Sequence, residues 1–134
     1  MDAHDKQKLL RRTSEALDGA SVILVEGVRD ERALRAIGVG APVLRANQTA
    51  ERVAERALRH GAGDVVLLFD FDEEGERKMD ACRAALEALG GRCDARSRVN
   101  LQRLTGVRHI EDLPPAWEEL REELARGERS AQHR

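Results

Sequence analysis

The stretch Val65-Val66-Leu67-Leu68-Phe69-Asp70-Phe71-Asp72-Glu73-Glu74-Gly75 decides the fold. An apolar run of strand length ends abruptly in two aspartates at i and i+2, then two glutamates and a glycine. An uninterrupted Val/Leu run is what a strand buried on both faces of a parallel sheet requires. Side chains at i and i+2 of an extended chain point the same way, about 7 Å apart. Asp70 and Asp72 are therefore expected to face one spot, where their mutual repulsion calls for a cation.

Working outward, strands and helices alternate. Upstream, Ser21-Val22-Ile23-Leu24-Val25 is a β-branched run ending at Glu26-Gly27, and Ala41 to Ala46 is a weaker strand. Helical spacing covers 30–37 and 50–60, the second opened by the capping residues Asn47, Gln48 and Thr49. Downstream, 74–89 carries Met79, Cys82, Ala85, Leu86 and Leu89 on one face, with acids in its first turn. A poorly marked fourth strand is expected within 92–95, and a short helix or loop over 99–107. Pro114-Pro115 are read as a break before a final helix over 116–126, and the polar tail 127–134 as frayed. A modest helical pattern also covers 2–17. This alternation predicts one α/β domain, Rossmann-like, with a mostly parallel sheet of about four strands covered by helices on both faces.

Composition narrows the function classes. The chain has 134 residues, 36% charged, with a net charge of −2, so overall charge favours no class of partner. All but three of the 23 basic residues are arginine, a bias that suits phosphate recognition but that codon composition also produces. Cys82 and Cys93 form no CxxC pair, and the four histidines are scattered, so zinc is not indicated. The first residues form no signal-peptide core and no segment has the length of a membrane span, which predicts a soluble, reduced, cytoplasmic protein.

In an open parallel sheet, ligands bind beyond the carboxyl ends of the strands. Two of the three clear strands end in acids there, Glu26 on one and Asp70 and Asp72 on the other. Oxygen donors without His or Cys suit Mg²⁺, with Mn²⁺ as a substitute, and Mg²⁺ commonly partners phosphate oxygens.

Val25-Glu26-Gly27-x-x-Asp30 followed by Asp70-x-Asp72-x-x-Gly75-Glu76 resembles the Toprim domain of topoisomerases, primases and M5-type ribonucleases. It is also similar to small stand-alone archaeal and bacterial Toprim proteins. The resemblance covers 20–100, leaving 1–19 as an N-terminal helix and 101–134 as a helical extension of the same domain. It implies a catalytic and metal-ligating role for Glu26 and Mg²⁺ ligation by Asp70 and Asp72. It further implies that Gly27 and Gly75 let the backbone turn beside the metal, with Asp30 as a second acidic position. Phe69 and Phe71 depart from the family's usual residues without touching a metal ligand.

Lys78, one turn into the helix after the aspartates, could reach a phosphate, although a solvated lysine is the simpler reading. Arg92, Arg96, Arg98, Arg103 and Arg108, against the single acid Asp94, form the best candidate nucleic-acid surface, with Arg96, Arg98 and Arg103 at its centre. Six acids over 111–123 read as a solvated helix face. Haloacid-dehalogenase phosphatases also carry a DxD, but after the first core strand, and too little chain follows it here.

The chain lacks tyrosine, which removes the nucleophile of topoisomerases, and it has no GxxxxGK[ST] loop and no polymerase region. What remains is a Mg²⁺-dependent protein acting on phosphodiesters of RNA or DNA, a nuclease or RNA-processing factor. The alternative is a non-catalytic Mg²⁺- and nucleic-acid-binding module of a processing or replication complex.

Overall fold

Val65, Val66 and Leu67 form a strand at the centre of the sheet because each buries its whole side chain, and neighbours on both sides saturate its backbone. In the computed structural model, which describes residues 1–132, the elements run α1 (Ala3–Asp18), β1 (Val22–Val25), α2 (Val28–Ala36), β2 (Val43–Arg45), α3 (Ala50–Leu58) and β3 (Val65–Leu67). They continue with α4 (Glu73–Ala88), β4 (Cys93–Asp94), α5 (Arg96–Thr105), a 3-10 turn (Ile110–Asp112) and α6 (Leu113–Gln132). All strand pairs are parallel, in the order β2-β1-β3-β4. The fold is α/β, and the expected four-stranded parallel sheet with helices on both faces is present.

Strand alternation sorts the core into two layers. Ile23 and Val25 of β1, with Val66 and Leu68, face Leu17, Leu34, Leu101 and Trp117, side chains from α1, α2, α5 and α6. Val22, Leu24, Val65, Leu67 and Phe69 point the other way, onto Val53, Ala54 and Ala57 of α3 and Met79, Cys82 and Leu86 of α4. Phe69 is wholly buried there, so it makes no substrate contact. A smaller cluster of Leu104, Leu120 and Leu124, with Leu9 and Leu10, ties α5 and α6 to α1. The terminal helices thus pack on the same body as the sheet.

Three boundaries differ from the sequence reading. Helix α5 starts at Arg96 rather than near 99, because the Asp94 carboxylate accepts the free N–H groups of Arg96 and Ser97. It stops at Gly106, whose φ of +70° is left-handed. Pro114 and Pro115 do not break the chain before the last helix; they lie inside its first turn, where no N–H is needed. That helix then runs through Gly127 to Gln132 instead of fraying, since one interior glycine costs only about 1 kcal/mol. His133 and Arg134 of the expected tail lie outside the described residues. Among the described residues, no helix is long and apolar enough to cross a membrane.

The chain leaves β1 toward β2 on one side and reaches β3 on the other. The β1/β3 seam is therefore the switch point of the sheet, where a crevice opens beyond the strand ends.

Candidate metal centre

Register puts Leu24 of β1 beside Leu67 of β3, so the segments leaving both strands emerge together at the seam. Glu26 and Asp70 lie on these segments. The two segments meet directly, the Asp70 backbone N–H donating to Glu26 Oε2 at 2.9 Å. The same device recurs at each neighbouring acid. Gly27 N–H donates to Asp30 Oδ2 at 3.0 Å, Ile110 N–H to Asp70 Oδ1 at 2.9 Å, and Gly75 N–H to Asp72 Oδ1 at 2.7 Å. Four carboxylates are each aimed by one backbone amide. Asp72 is at the same time the N-cap of α4, so the helix start and the acid's orientation are one feature.

Ligand atoms of Glu26, Asp30 and Asp70 lie within 4.8 Å of one another, and so do those of Asp70, Asp72 and His109. The expected convergence of Glu26, Asp70 and Asp72 on one spot thus becomes two overlapping groups that share Asp70. Asp30, which the sequence offered only as a second acidic position, is 7% exposed and belongs to the first group. His109 belongs to the second, with Nδ1 3.4 Å from Asp70 Oδ2. No periodicity or spacing marks His109 in the sequence. It arrives because the Phe71 N–H donates to the Arg108 carbonyl and locks the loop after α5 against the end of β3. Lys78 is not merely solvated: its ammonium sits 3.1 Å from Glu26 Oε1 and 3.3 Å from Glu74, and these partners raise its pKa.

Burial pushes the Asp30 carboxyl above the usual aspartate range, and the charges of Asp70, Glu26 and Glu111 push it further; the Gly27 N–H opposes them. A carboxyl raised on folding holds its proton more tightly in the native state. Its contribution to stability therefore falls as pH rises through the window between the ordinary and the raised value. Asp30→Asn keeps an acceptor for Gly27 and removes the charge. The metal-free variant is expected to melt higher than the wild type at neutral pH, with the gap closing below the ordinary aspartate pKa. Added Mn²⁺ should reverse the order by stabilising the wild type more. Thermal melts across pH, with and without Mn²⁺, measure both.

Arg98 overturns one sequence expectation. It is 6% exposed, buried at the edge of a cleft rather than spread on an open face. Its Nε donates to the Phe69 carbonyl at 2.8 Å, Nη1 to Glu76 at 2.9 Å and Nη2 to the Asp70 carbonyl. The guanidinium also stacks 4.9 Å from the Phe71 ring. It therefore grips three consecutive residues of the segment that presents the aspartates. Arg96 and Arg103 are exposed, as expected, on α5.

The two glycines differ from expectation as well. Gly27 is extended, with φ −155°, and a Cβ there would meet nothing within 4 Å, so the backbone does not demand glycine. Gly75 is not in a turn but in the first turn of α4, pressed against the Asp70 backbone; a Cβ would overlap the Asp70 carbonyl oxygen.

The donor set fits a hard divalent cation. Carboxylate oxygens predominate, one oxygen of each acid held by a backbone N–H, which suits Mg²⁺ or Mn²⁺. Burial raises the pKa of both Cys82 and Cys93, and neither belongs to either acid group. A cleft of about 410 Å³ opens beside Asp72, edged by Phe71, Glu73, Glu76, Arg98, Gln102 and Arg108.

No family model matches the chain. A solved structure of a protein from Aquifex aeolicus superposes with a TM-score of 0.64 at 28% identity, covering 79% of this chain and 95% of that one. Among curated proteins, a UPF0292 protein of Thermococcus sibiricus is 33% identical over 116 residues, 84% of this chain and 90% of its own. A UPF0292 protein of Pyrococcus furiosus is 36% identical over 118 residues, 86% of each chain. On that identity and coverage, the chain belongs to the UPF0292 family.

Proposed function

We propose that this chain is a Toprim-type protein that binds Mg²⁺ and acts on nucleic-acid phosphodiesters, as a nuclease or RNA-processing factor. The observation that carries this reading is the set of four carboxylates at the β1/β3 seam, each oriented by a backbone N–H donor. Unneutralised acids gathered so closely are costly, and the main-chain bonds that fix them preorganise the cluster for a cation.

Asp70 and Asp72 would hold the ion, together with Glu26 and Asp30, which share a group with Asp70. The ion would supply charge neutralisation and a water of lowered pKa. Glu26 is suited to hold or move a proton at Oε1, because Oε2 is committed to the Asp70 N–H. Lys78 sets the charge on that oxygen from 3.1 Å. His109 Nδ1 lies 3.4 Å from Asp70 Oδ2 and adds a contact to that carboxylate. Arg108 and Gln102, on the rim of the adjoining cleft, face the space a phosphate backbone would cross.

A second reading is a non-catalytic module that binds nucleic acid through the same face. The Lys78–Glu26 ion pair favours it, since an ammonium already occupies the carboxylate oxygen that proton transfer would need.

One comparison separates the readings. Asp70→Asn keeps an oxygen for the Ile110 N–H but removes the charge shared by both acid groups. Calorimetry with Mn²⁺ should show affinity weakened at least ~10-fold, about 1.4 kcal/mol, in this variant. A panel of labelled structured RNAs and DNAs in Mg²⁺ or Mn²⁺ should show cleavage by the wild type and none by the variant. Binding without cleavage in both would support the module. Absence of Mn²⁺ affinity in the wild type would remove the metal reading altogether.

A further inference from the structure

Helix α1 presents two kinds of cation. Lys6 is paired at 3.1 Å with Glu123 of α6, so acids of the neighbouring helix are within reach of that face. Lys8 and Arg12, one turn apart on another face, make no ion pair among the described residues, and neither does Arg103 of α5. These three side chains nevertheless line one groove of about 300 Å³ between α1 and α5, with Leu9 and the single acid Asp5. Like charges at i and i+4 of a helix destabilise it by about 0.2–0.5 kcal/mol, so folding gains nothing from this arrangement. An anion would.

The groove is joined to the metal centre by α5 itself. Gln102 lines the cleft beside Asp72, and the next residue, Arg103, about 100° further round the helix, lines the α1 groove. A helix with its side chains is about 10–12 Å across, so side chains about 100° apart around it end roughly 8 Å apart, two to three nucleotide steps of 3.4 Å in a helical strand. A continuous phosphate backbone matches that separation better than a single phosphate does. Arg98, one turn before Gln102, ties α5 to the segment that carries the aspartates through the Phe69 and Asp70 carbonyls.

We propose that Lys8, Arg12 and Arg103 form a phosphate-binding groove that holds a nucleic-acid strand where it leaves the acid cluster and crosses α5. This inference rests on the nucleic-acid reading above. It identifies α1 as part of the substrate surface and moves the weight of that surface from Arg96 and Arg98 toward the α1/α5 seam.

The test uses the full chain with chelator present, so that binding is read without cleavage. Fluorescence anisotropy with labelled single-stranded RNA and its DNA equivalent is followed between about 50 and 200 mM salt. For the triple variant Lys8→Ala/Arg12→Ala/Arg103→Ala, the dissociation constant is expected to rise at least ~10-fold, and the slope of log K against log salt to become shallower by about 2. Its melting curve and Mn²⁺ affinity should match the wild type, because all three side chains are exposed and away from the acids. A control on the opposite helix layer, Arg52→Ala/Arg59→Ala, should leave binding unchanged. Wild-type affinity and salt slope in the triple variant would overturn the groove while leaving the nucleic-acid reading intact. A wild-type protein that binds neither RNA nor DNA would overturn that reading and the groove with it.

Discussion

Replacing Gly75 by alanine is expected to destabilise the protein by about 2 kcal/mol and, on the proposed metal reading, to weaken Mn²⁺ binding sharply, although alanine is the better helix former. The propensity gain is about 1 kcal/mol, since Gly75 lies in the first turn of α4. Against it stands a steric overlap with main chain. A Cβ at this position would collide with the Asp70 carbonyl oxygen and lie 2.8 Å from the carbonyl carbon. Overpacking against backbone commonly costs about 1–3 kcal/mol or more, and no rotamer change relieves it. The displaced group is also the worst one to move. The Asp70 N–H holds Glu26, its carbonyl takes the Arg98 donor, and its carboxylate belongs to both acid groups. Chemical denaturation measures the first effect and Mn²⁺ calorimetry on the folded fraction the second. Gly27→Ala is the matched control, expected to be nearly silent because open space surrounds that position. Equal stability of the Gly75→Ala variant and the wild type would mean that the contact between α4 and Asp70 is not tight in solution.

The second large effect is expected at Arg98. Truncation to alanine strips donors from the Phe69 and Asp70 carbonyls at once and leaves them in a site where the arginine was 6% exposed. Unsatisfied buried acceptors cost about 1–3 kcal/mol each, giving a loss of about 3–5 kcal/mol. For a domain of this size that lowers the melting midpoint by about 10–15 °C. The exposed side of the Glu76 pair adds little, because Glu76 is 55% accessible and solvent screens it. Arg98→Lys restores the charge but not the planar fork that serves two carbonyls, so it should recover about half the stability. Mn²⁺ affinity should follow the same order, wild type above lysine above alanine, since the guanidinium fixes the direction in which Asp70 and Asp72 leave the strand. A lysine variant with full stability and full affinity would show that charge alone, not the fork, holds the segment.

Much of this was legible in the chain before folding. The Val/Leu runs at 22–25 and 65–68 announced strands buried on both faces, and the 3.6-residue spacing after each one announced the covering helices. The acids at Glu26, Asp70 and Asp72 were legible because they interrupt apolar runs at the strand ends, which is where an open parallel sheet exposes its chain. The apolar spacing predicts too short an α5 because its start depends on the Asp94 carboxylate, a capping contact that no apolar periodicity reveals. The prolines misled because a missing N–H breaks a helix in its interior but costs nothing in the first turn.

The sequence by itself determined the layer order and which strand ends carry charge, since burial and periodicity are local properties of the chain. Only the tertiary structure decided what each charge does. It seated Arg98 under the aspartates instead of on the surface, brought His109 to Asp70, split the acids into two groups, and set Lys8 and Arg12 beside Arg103. These outcomes depend on contacts between residues tens of positions apart, and side-chain identity alone carries no distance. An arginine reads the same in the chain whether its guanidinium will meet water, a phosphate or two buried carbonyls; the fold chooses among them.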